Sequence, residues 1–238
     1  MSLGTLYLIP VPLADNAEKL SYTLFHQELI NSIGEYVVEN EKTARRFLKQ
    51  AGLKIPQSEL KIHDYGKHAR GKIDYNRIFS AIKEGKDIGL MSEAGCPGVA
   101  DPGADVVAEA HKRGIKVVPL VGPSSILLAL MASGFNGQKF AFHGYLPIDK
   151  IERVRKIKDL EVQSLKEKQT QIFIETPFRN NGLFDDLLKN CKRETQICVA
   201  CNLTASDEQV LTLPASEWKS RKPDLHKKPT IFLMYAQN

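Results

Sequence analysis

GLMSEAGCPGVADPGADVV, residues 89–107, begins as an apolar, strand-like segment and ends in a helical pattern. The crossing is rich in backbone-shaping residues and also carries two carboxylates: Gly95, Pro97, Gly98, Pro102 and Gly103, with Glu93 and Asp101. Glycine allows a close backbone approach, and proline fixes a loop in advance. The stretch therefore predicts a preformed loop at the carboxyl end of a strand, where open α/β sheets bind their ligands.

Two other strand ends share this chemistry. The first is Ile9-Pro10-Val11-Pro12, and the second is Pro119-Leu120-Val121-Gly122-Pro123-Ser124-Ser125, which leads into an apolar helix. Any one of these loops alone is better explained as a tight turn. Three of them at one edge of a parallel sheet predict the walls of a pocket.

Strand-like runs alternate with helical patterns through the first half of the chain, which predicts βαβ units and a mainly parallel sheet. The last third is rich in successive strands, and these favour antiparallel pairing within a mixed sheet. The predicted fold class is therefore α/β with two domains, residues 1–118 and 119–238. The first carries the parallel sheet and the second carries the mixed sheet.

The composition indicates a globular protein without a membrane span. The chain of 238 residues is 42% hydrophobic and 26% charged, which is typical of a globular protein and argues against disorder. Its formal net charge of +5 permits an anionic partner without requiring one. No apolar run approaches the ~20 residues of a membrane span. The N-terminal segment lacks the basic region of a signal peptide, so a cytoplasmic protein with reduced thiols is expected.

Cys198 and Cys201 form a C-x-x-C pair inside the β-like segment TQICVACNLT. Residues i and i+3 of a strand face opposite sides, whereas a redox pair or a zinc site needs convergent thiols. The chain contains no second C-x-x-C to complete four ligands. Structural cysteines and no metal site are therefore expected.

The loops also restrict the ligand. The sequence has no G-x-G-x-x-G after its first strand and no G-x-x-x-x-G-K-[ST]. Glu93 and Asp101 would repel phosphates, so a ligand with a positive centre or with hydroxyl groups fits better. S-adenosylmethionine (SAM) has a sulfonium, an amino group and a ribose diol, and it satisfies both conditions.

The order and content of these loops resemble the tetrapyrrole methylase superfamily of SAM-dependent methyltransferases. LMSEAGCPGVADPGADVV resembles the signature V-S-D-A-G-x-P-x-I-x-D-P-G, and GIKVVPLVGPSS resembles G-I-x-V-x-P-x-P-G-P-S-A. GTLYLIPVPLAD, FAFHGYLP and IFIETPFR resemble further motifs of the branch that methylates a ribose 2′-oxygen in small-subunit ribosomal RNA. The matching segments extend over nearly the whole chain.

The resemblance implies two α/β domains with SAM in the cleft between them, a homodimer, an RNA substrate and no metal. It also implies SAM contacts at the residues that match the family's loops. These are Pro10; Ser92, Glu93, Ala94 and Gly95; Gly122, Pro123, Ser124 and Ser125; and Phe142 and Gly144. For the acceptor hydroxyl, Glu39 is the candidate general base, and Lys42 and Arg179 are the candidate cations.

Several polar positions depart from the family's pattern. The family's A-E-D-T-R is here Val38-Glu39-Asn40-Glu41-Lys42, its P-H-R has Phe178 in place of histidine, and its R-E-L-T begins with Cys201-Asn202. The losses fall on residues that would serve the acceptor, whereas the SAM loops survive. A methyltransferase acting on a tetrapyrrole or another small molecule, and a SAM-binding homodimer with impaired catalysis, therefore remain alternatives.

Two basic patches and one dipeptide are further candidates for contact with RNA. The first patch holds Lys67, His68, Arg70 and Lys72; the second holds Lys219, Arg221, Lys222, Lys227 and Lys228. Phosphate contacts from such residues give affinity without sequence specificity. The pair His63-Asp64 invites a catalytic role, but a hydrogen bond that stabilises the loop is the better prediction.

Overall fold

The computed structural model describes residues 2–66 and 73–237, and every element named below lies in them. The chain divides into two compact units, Met1–Ser124 and Ser125–Asn238. The strands of the first unit are β1 (Thr5–Leu8), β2 (Glu35–Val38), β3 (Lys61–Asp64), β4 (Ile88–Met91) and β5 (Lys116–Pro119). Its helices are α1 (Glu18–Ser21), α2 (Leu24–Ile30), α3 (Glu41–Gln50), α4 (Tyr75–Ile78), α5 (Ser80–Lys83) and α6 (Gly103–Lys112).

The strands of the first unit form one parallel sheet in the order β3-β2-β4-β1-β5. The sheet is covered on both faces, as its strands without polar alternation predict. Tyr36 and Val38 pack into one apolar cluster with α2 and α3, while Val37 and Leu90 pack into the opposite cluster with α5 and α6. The predicted parallel sheet is confirmed.

The second unit contains α7 (Ser125–Ser133), β6 (Phe140–Tyr145), α8 (Lys150–Glu167), β7 (Thr170–Ile174), α9 (Asn180–Asn190), β8 (Gln196–Cys201), β9 (Gln209–Pro214) and β10 (Thr230–Tyr235). A short 3₁₀ turn, Trp218–Ser220, precedes the last strand. The strand order is β6-β7-β10-β8-β9, in which β6 and β7 are parallel and the other pairs are antiparallel. The predicted mixed sheet is confirmed.

Two segments whose pattern predicts a single helix differ from that prediction in the structure. SYTLFHQELINS, residues 21–32, contains α2, which Thr23 starts through a capping box with His26, while the one-turn α1 precedes it and shares only Ser21 with the predicted segment. DYNRIFSAIKEG gives α4 and α5, which meet at Phe79, where the backbone leaves the helical region. Periodicity places the apolar face correctly but does not detect such local interruptions.

The C-x-x-C pair lies on β8 with its two side chains on opposite faces of the sheet. Cys201 joins Ile197 and Val199 in the main apolar cluster of the second unit, and Cys198 lies outside that cluster. Burial raises the pKa of the Cys198 thiol to about 11 and that of Cys191 to about 12. Among the described residues, no group of three or more histidine, cysteine and acidic side chains is placed to hold a metal ion.

We expect Cys191 and Cys198 to resist alkylation in the folded protein. At pH 8 a thiol of pKa about 11 is ionised to roughly one part in a thousand, and only the thiolate reacts. Peptide mass spectrometry after iodoacetamide treatment should find both thiols unmodified until urea unfolds the chain. Recovery of a Cys198–Cys201 disulfide after mild oxidation of the folded protein would contradict the opposed arrangement.

Candidate functional site

The three predicted loops follow three adjacent strands of the first sheet. β1 lies between β4 and β5, and Leu8 is in register with Leu90 on one side and with Pro119 on the other. The three strands therefore end at the same level, and their loops start side by side. The aligned ends arise because all three strands are parallel, so every carboxyl end meets one edge.

The first loop, residues 9–13, is bonded to the second loop, residues 92–98. The backbone amides of Val11 and Gly95 each donate to the other residue's carbonyl, at 2.9 and 2.8 Å. Gly95 has φ +75°, a left-handed conformation that residues with a side chain rarely adopt. The sequence suggested that Gly95 lets a ligand approach. In the structure, glycine is needed at position 95 because the backbone turn that pairs this residue with Val11 has a positive φ.

The third loop, residues 120–125, packs against both of the others. The Cys96 thiol donates to the carbonyl of Pro123 at 3.3 Å, and the Leu120 amide donates to the carbonyl of Leu8 at 3.0 Å. Gly122 lies so close to Pro10 that a Cβ added to it would be 2.1 Å from the proline Cβ. Pro10 is therefore buried against Gly122. The three loops contact one another directly.

Ser92 is buried at the start of the second loop. Its hydroxyl donates to the carbonyl of Ala94 at 3.1 Å, with a longer contact of 3.4 Å to that of Gly95. The side chain of Ser92 is therefore engaged in shaping the loop, while Glu93 and Ala94 are exposed. Of the four residues of this loop that are predicted to contact SAM, Ser92 and Gly95 are therefore buried, and Glu93 and Ala94 are open to solvent.

Glu39 is the first residue after β2, and it reaches the second loop. One of its carboxylate oxygens accepts a hydrogen bond from the Glu93 amide at 3.0 Å. The contact follows from register, because Val38 pairs with Met91 and the next residues of both strands emerge together. Glu39 therefore anchors the loop that carries Glu93, a role that the sequence did not predict.

The segment after Glu39 explains one departure from the family's pattern. Asn40 caps α3, and its side-chain oxygen accepts from the amides of Lys42 and Thr43 at 3.0 and 3.2 Å. Asparagine and aspartate cap helices about equally well, so the exchange keeps the start of the helix. Lys42 is exposed in the first turn of α3.

Asp101 shapes the far end of the second loop. Its Oδ1 accepts from the amides of Gly98 and Gly103, at 2.9 and 2.6 Å, and α6 begins at Gly103. Burial raises the pKa of Asp101 above its ordinary value, although the two amides oppose the shift. Asp101 therefore shapes the loop, and Gly103 begins the helix directly after it.

The edge of the sheet around this loop carries negative charge. The Tyr65 hydroxyl donates to the carbonyl of Met91 at 3.2 Å. Its pKa is raised, first by burial and then by the nearby carboxylates Asp101, Glu39, Asp64 and Glu93. Carboxylates on three adjacent strand ends disfavour a phosphate and favour a ligand with a positive centre.

His63 and Asp64 are both engaged in local hydrogen bonds. His63 Nε2 lies 2.7 Å from Glu35 Oε1 on the neighbouring strand β2, and Asp64 Oδ1 accepts from the Gly66 amide at 2.7 Å. The Asp64 bond lies in the loop, as predicted for the pair, whereas the His63 bond joins strand β3 to strand β2. Lys67, His68, Arg70 and Lys72, the first basic patch, lie outside the described residues.

The remaining predicted residues belong to the second unit. Ser125 begins α7, and Phe142 and Gly144 lie on β6, where the pairing with β7 shifts register between Phe142 and Tyr145. Arg179 precedes α9, and its Nη2 lies 2.6 Å from Oε1 of Glu175, whose side chain is buried. The guanidinium of Arg179 therefore compensates a buried carboxylate and still exposes 38% of its side chain.

Sequence patterns did not identify Cys96 or Tyr65 as parts of the site. The Cys96 thiol connects the second loop to the third by a hydrogen bond, and Tyr65 lies near the carboxylates at the strand ends. In the sequence, only their positions could have indicated a role in the site. Cys96 lies inside the glycine- and proline-rich stretch, and Tyr65 directly follows β3. Neither residue type indicates these contacts without the fold.

The fold is similar to that of a solved methyltransferase. A crystal structure described as the methyltransferase CobJ superimposes with a TM-score of 0.61 at 17% sequence identity. The match covers 99% of this chain and 95% of that chain.

Residues 27–219 match the family described as Tetrapyrrole (Corrin/Porphyrin) Methylases, and the chain belongs to this family. It is therefore a methyltransferase. Two relatives are each named "Ribosomal RNA small subunit methyltransferase I". The relative from Vibrio cholerae is 29% identical, over 97% of this chain and 77% of its own length. The relative from Bacillus subtilis is 33% identical, over 90% of this chain and 69% of its own length.

Proposed function

We propose that this methyltransferase transfers a methyl group from SAM to a ribose 2′-oxygen of small-subunit ribosomal RNA in the cytoplasm. The observation that carries the proposal is the connected set of three loops at the ends of β4, β1 and β5. Support for the RNA substrate comes from the names of the relatives, since both describe a ribosomal RNA methyltransferase. The excess of basic residues in the chain agrees with an anionic substrate.

The chemistry of the loops fits SAM. The sulfonium and amino group of SAM are positive, and the carboxylates Glu39 and Glu93 lie just after the paired strands β2 and β4. Glu93 and Ala94 are exposed on a loop whose backbone is fixed by the Val11–Gly95 pair. Such a loop presents carboxylate and backbone groups in a set arrangement, which reduces the entropy lost when a ligand binds.

SAM supplies an activated methyl group and leaves as a neutral thioether when an acceptor oxygen attacks. The main contribution of the protein to such a displacement is alignment of the acceptor with the methyl carbon. The acceptor hydroxyl must also lose its proton, and Glu39 was the candidate base. Because Glu39 holds the Glu93 amide, we assign it the positioning of the second loop. Lys42 and Arg179 remain the candidate cations for the developing oxyanion.

Two experiments in one series test this function. Titration calorimetry should show saturable SAM binding to the purified chain. Labelled SAM should then transfer its label to unmodified small ribosomal subunits and leave a precorrin-type macrocycle unlabelled. Label in the macrocycle alone would establish the small-molecule alternative, and SAM binding without transfer to either would establish the non-catalytic alternative. No binding at millimolar SAM would overturn the proposal as a whole.

The proposal includes a homodimer. The dimer is supported by large apolar side chains that are exposed on α7, where Leu127 is 50% exposed and Met131 is 79% exposed. Exposed apolar side chains that share a helix commonly mark an interface. Light scattering should give twice the chain mass of 26.6 kDa, and a mass of one chain at micromolar concentration would contradict the dimer.

A further inference from the structure

Phe178 is an aromatic side chain that is 69% exposed, in the loop between β7 and α9. It occupies the position at which the family's motif carries a histidine. No hydrophobic cluster of the second unit includes its ring.

The surroundings of the ring are held in place. The Lys227 amide donates to the carbonyl of Pro177 at 3.0 Å, and Asn180 Nδ2 donates to the carbonyl of Lys228 at 2.7 Å. The Leu225 amide also donates to Oδ1 of Asn181, in the first turn of α9, at 2.9 Å. The Leu225 side chain is fully buried. The segment 225–228 is thus fixed to the start of α9, and it presents its polar groups beside Phe178 in one arrangement.

These groups are basic or aromatic. The Lys227 ammonium lies 5.9 Å from the centroid of the Phe178 ring, and the His226 ring meets Phe178 edge-on, also at 5.9 Å. Arg179 follows directly in the chain. Residues 219–228 contain five lysines and arginines and one acid, Asp224. The Oδ1 of Asp224 already accepts from Asn181 Nδ2 and from the His226 amide.

We infer that Phe178 is a stacking platform for an unpaired base of the RNA substrate, with Lys227 beside it as a phosphate contact. The inference rests on the proposed function, because it requires an RNA acceptor. Aromatic rings bordered by cations are the features that bind single-stranded nucleic acid, since every base has a π-face and every linkage carries a negative charge. A partner with an apolar protein surface would gain nothing from the surrounding positive charges.

The test measures the affinity of the full chain for a fluorescent single-stranded RNA and for small ribosomal subunits. Phe178→Ala should weaken RNA binding about 5- to 150-fold, the range expected for loss of one stacked base. Phe178→Trp should retain it. Lys227→Gln should reduce the slope of log affinity against log salt concentration by roughly 0.7. Val162→Ala, at a residue 65% exposed on α8, is the matched control and should change nothing.

Each outcome bears on a different claim. If the unaltered protein binds no RNA, the proposed function fails and this inference fails with it. If it binds RNA and Phe178→Ala binds equally well, the inference alone is overturned. The affinity of Phe178→Ala for SAM should equal that of the unaltered protein. A parallel loss of SAM affinity would place Phe178 at the cofactor instead and would also overturn the inference. Circular dichroism of each variant establishes that it is folded.

Discussion

Gly122→Ala is expected to lower the affinity for SAM about 100-fold or more while the chain remains folded. The added Cβ would lie 2.1 Å from the Cβ and 2.3 Å from the Cγ of Pro10, far inside van der Waals contact. Gly122 does not have a positive φ, so the effect comes from the clash and not from backbone strain. The first and third loops must separate by more than 1 Å. Titration calorimetry with SAM measures the result.

Two further variants make this prediction specific. Gly182→Ala is the matched control, because its Cβ would meet nothing within 4 Å on α9. It should leave SAM affinity unchanged and stabilise the fold by about 0.5–1 kcal/mol. Pro10→Gly combined with Gly122→Ala removes the atoms that clash and should recover part of the affinity. A Gly122→Ala protein with unchanged affinity would show that contact between these loops does not matter for SAM.

Glu39→Ala is expected to weaken SAM binding about 10- to 100-fold, because the Glu93 amide loses a charged hydrogen-bond partner and the second loop is released. Glu39→Gln keeps an oxygen that can accept from this amide and should remain within a few-fold of the unaltered protein. Binding titrations and single-turnover rates with labelled SAM distinguish affinity from chemistry.

The pair of variants also separates positioning from base catalysis. If Glu39 were the general base, Glu39→Gln would bind SAM normally and lose about 100- to 10,000-fold in turnover. That result would overturn the positioning role and restore the base. Glu41→Ala, at the next acidic position, is the control, since Glu41 forms a largely exposed ion pair with Arg45. Such pairs contribute little, so its affinity and turnover should be unchanged.

The sequence predicted the two sheets because strand patterns depend on local periodicity. Runs such as DIGLMS and KVVPLV lack polar alternation; the first forms the fully buried central strand β4, and the second forms the partly exposed edge strand β5. The helices were predicted where amphipathic spacing was continuous. The one-turn helix α1 and the interruption at Phe79 were missed, since one turn is too short to show periodicity and the interruption depends on the backbone conformation of one residue.

The sequence also predicted that three loops share one edge, because parallel strands bring their carboxyl ends together whatever the strand order is. It did not predict which loops would touch. The order β4-β1-β5 makes the first loop the central one, and the register of β2 with β4 brings Glu39 to the Glu93 amide. These contacts join residues far apart in the chain, and no local pattern encodes their distance.

By itself, the sequence determined the α/β class, the family and the residue types that the loops offer to a ligand, since all of these follow from local pattern and motif. The tertiary structure decided the roles within the loops. Gly95 forms a backbone turn that pairs with Val11, and Gly122 packs against Pro10. Glu39 anchors the second loop through the Glu93 amide. The physical reason is that steric fit and hydrogen bonding act over a few ångströms, so they exist only once the strands have brought these residues together.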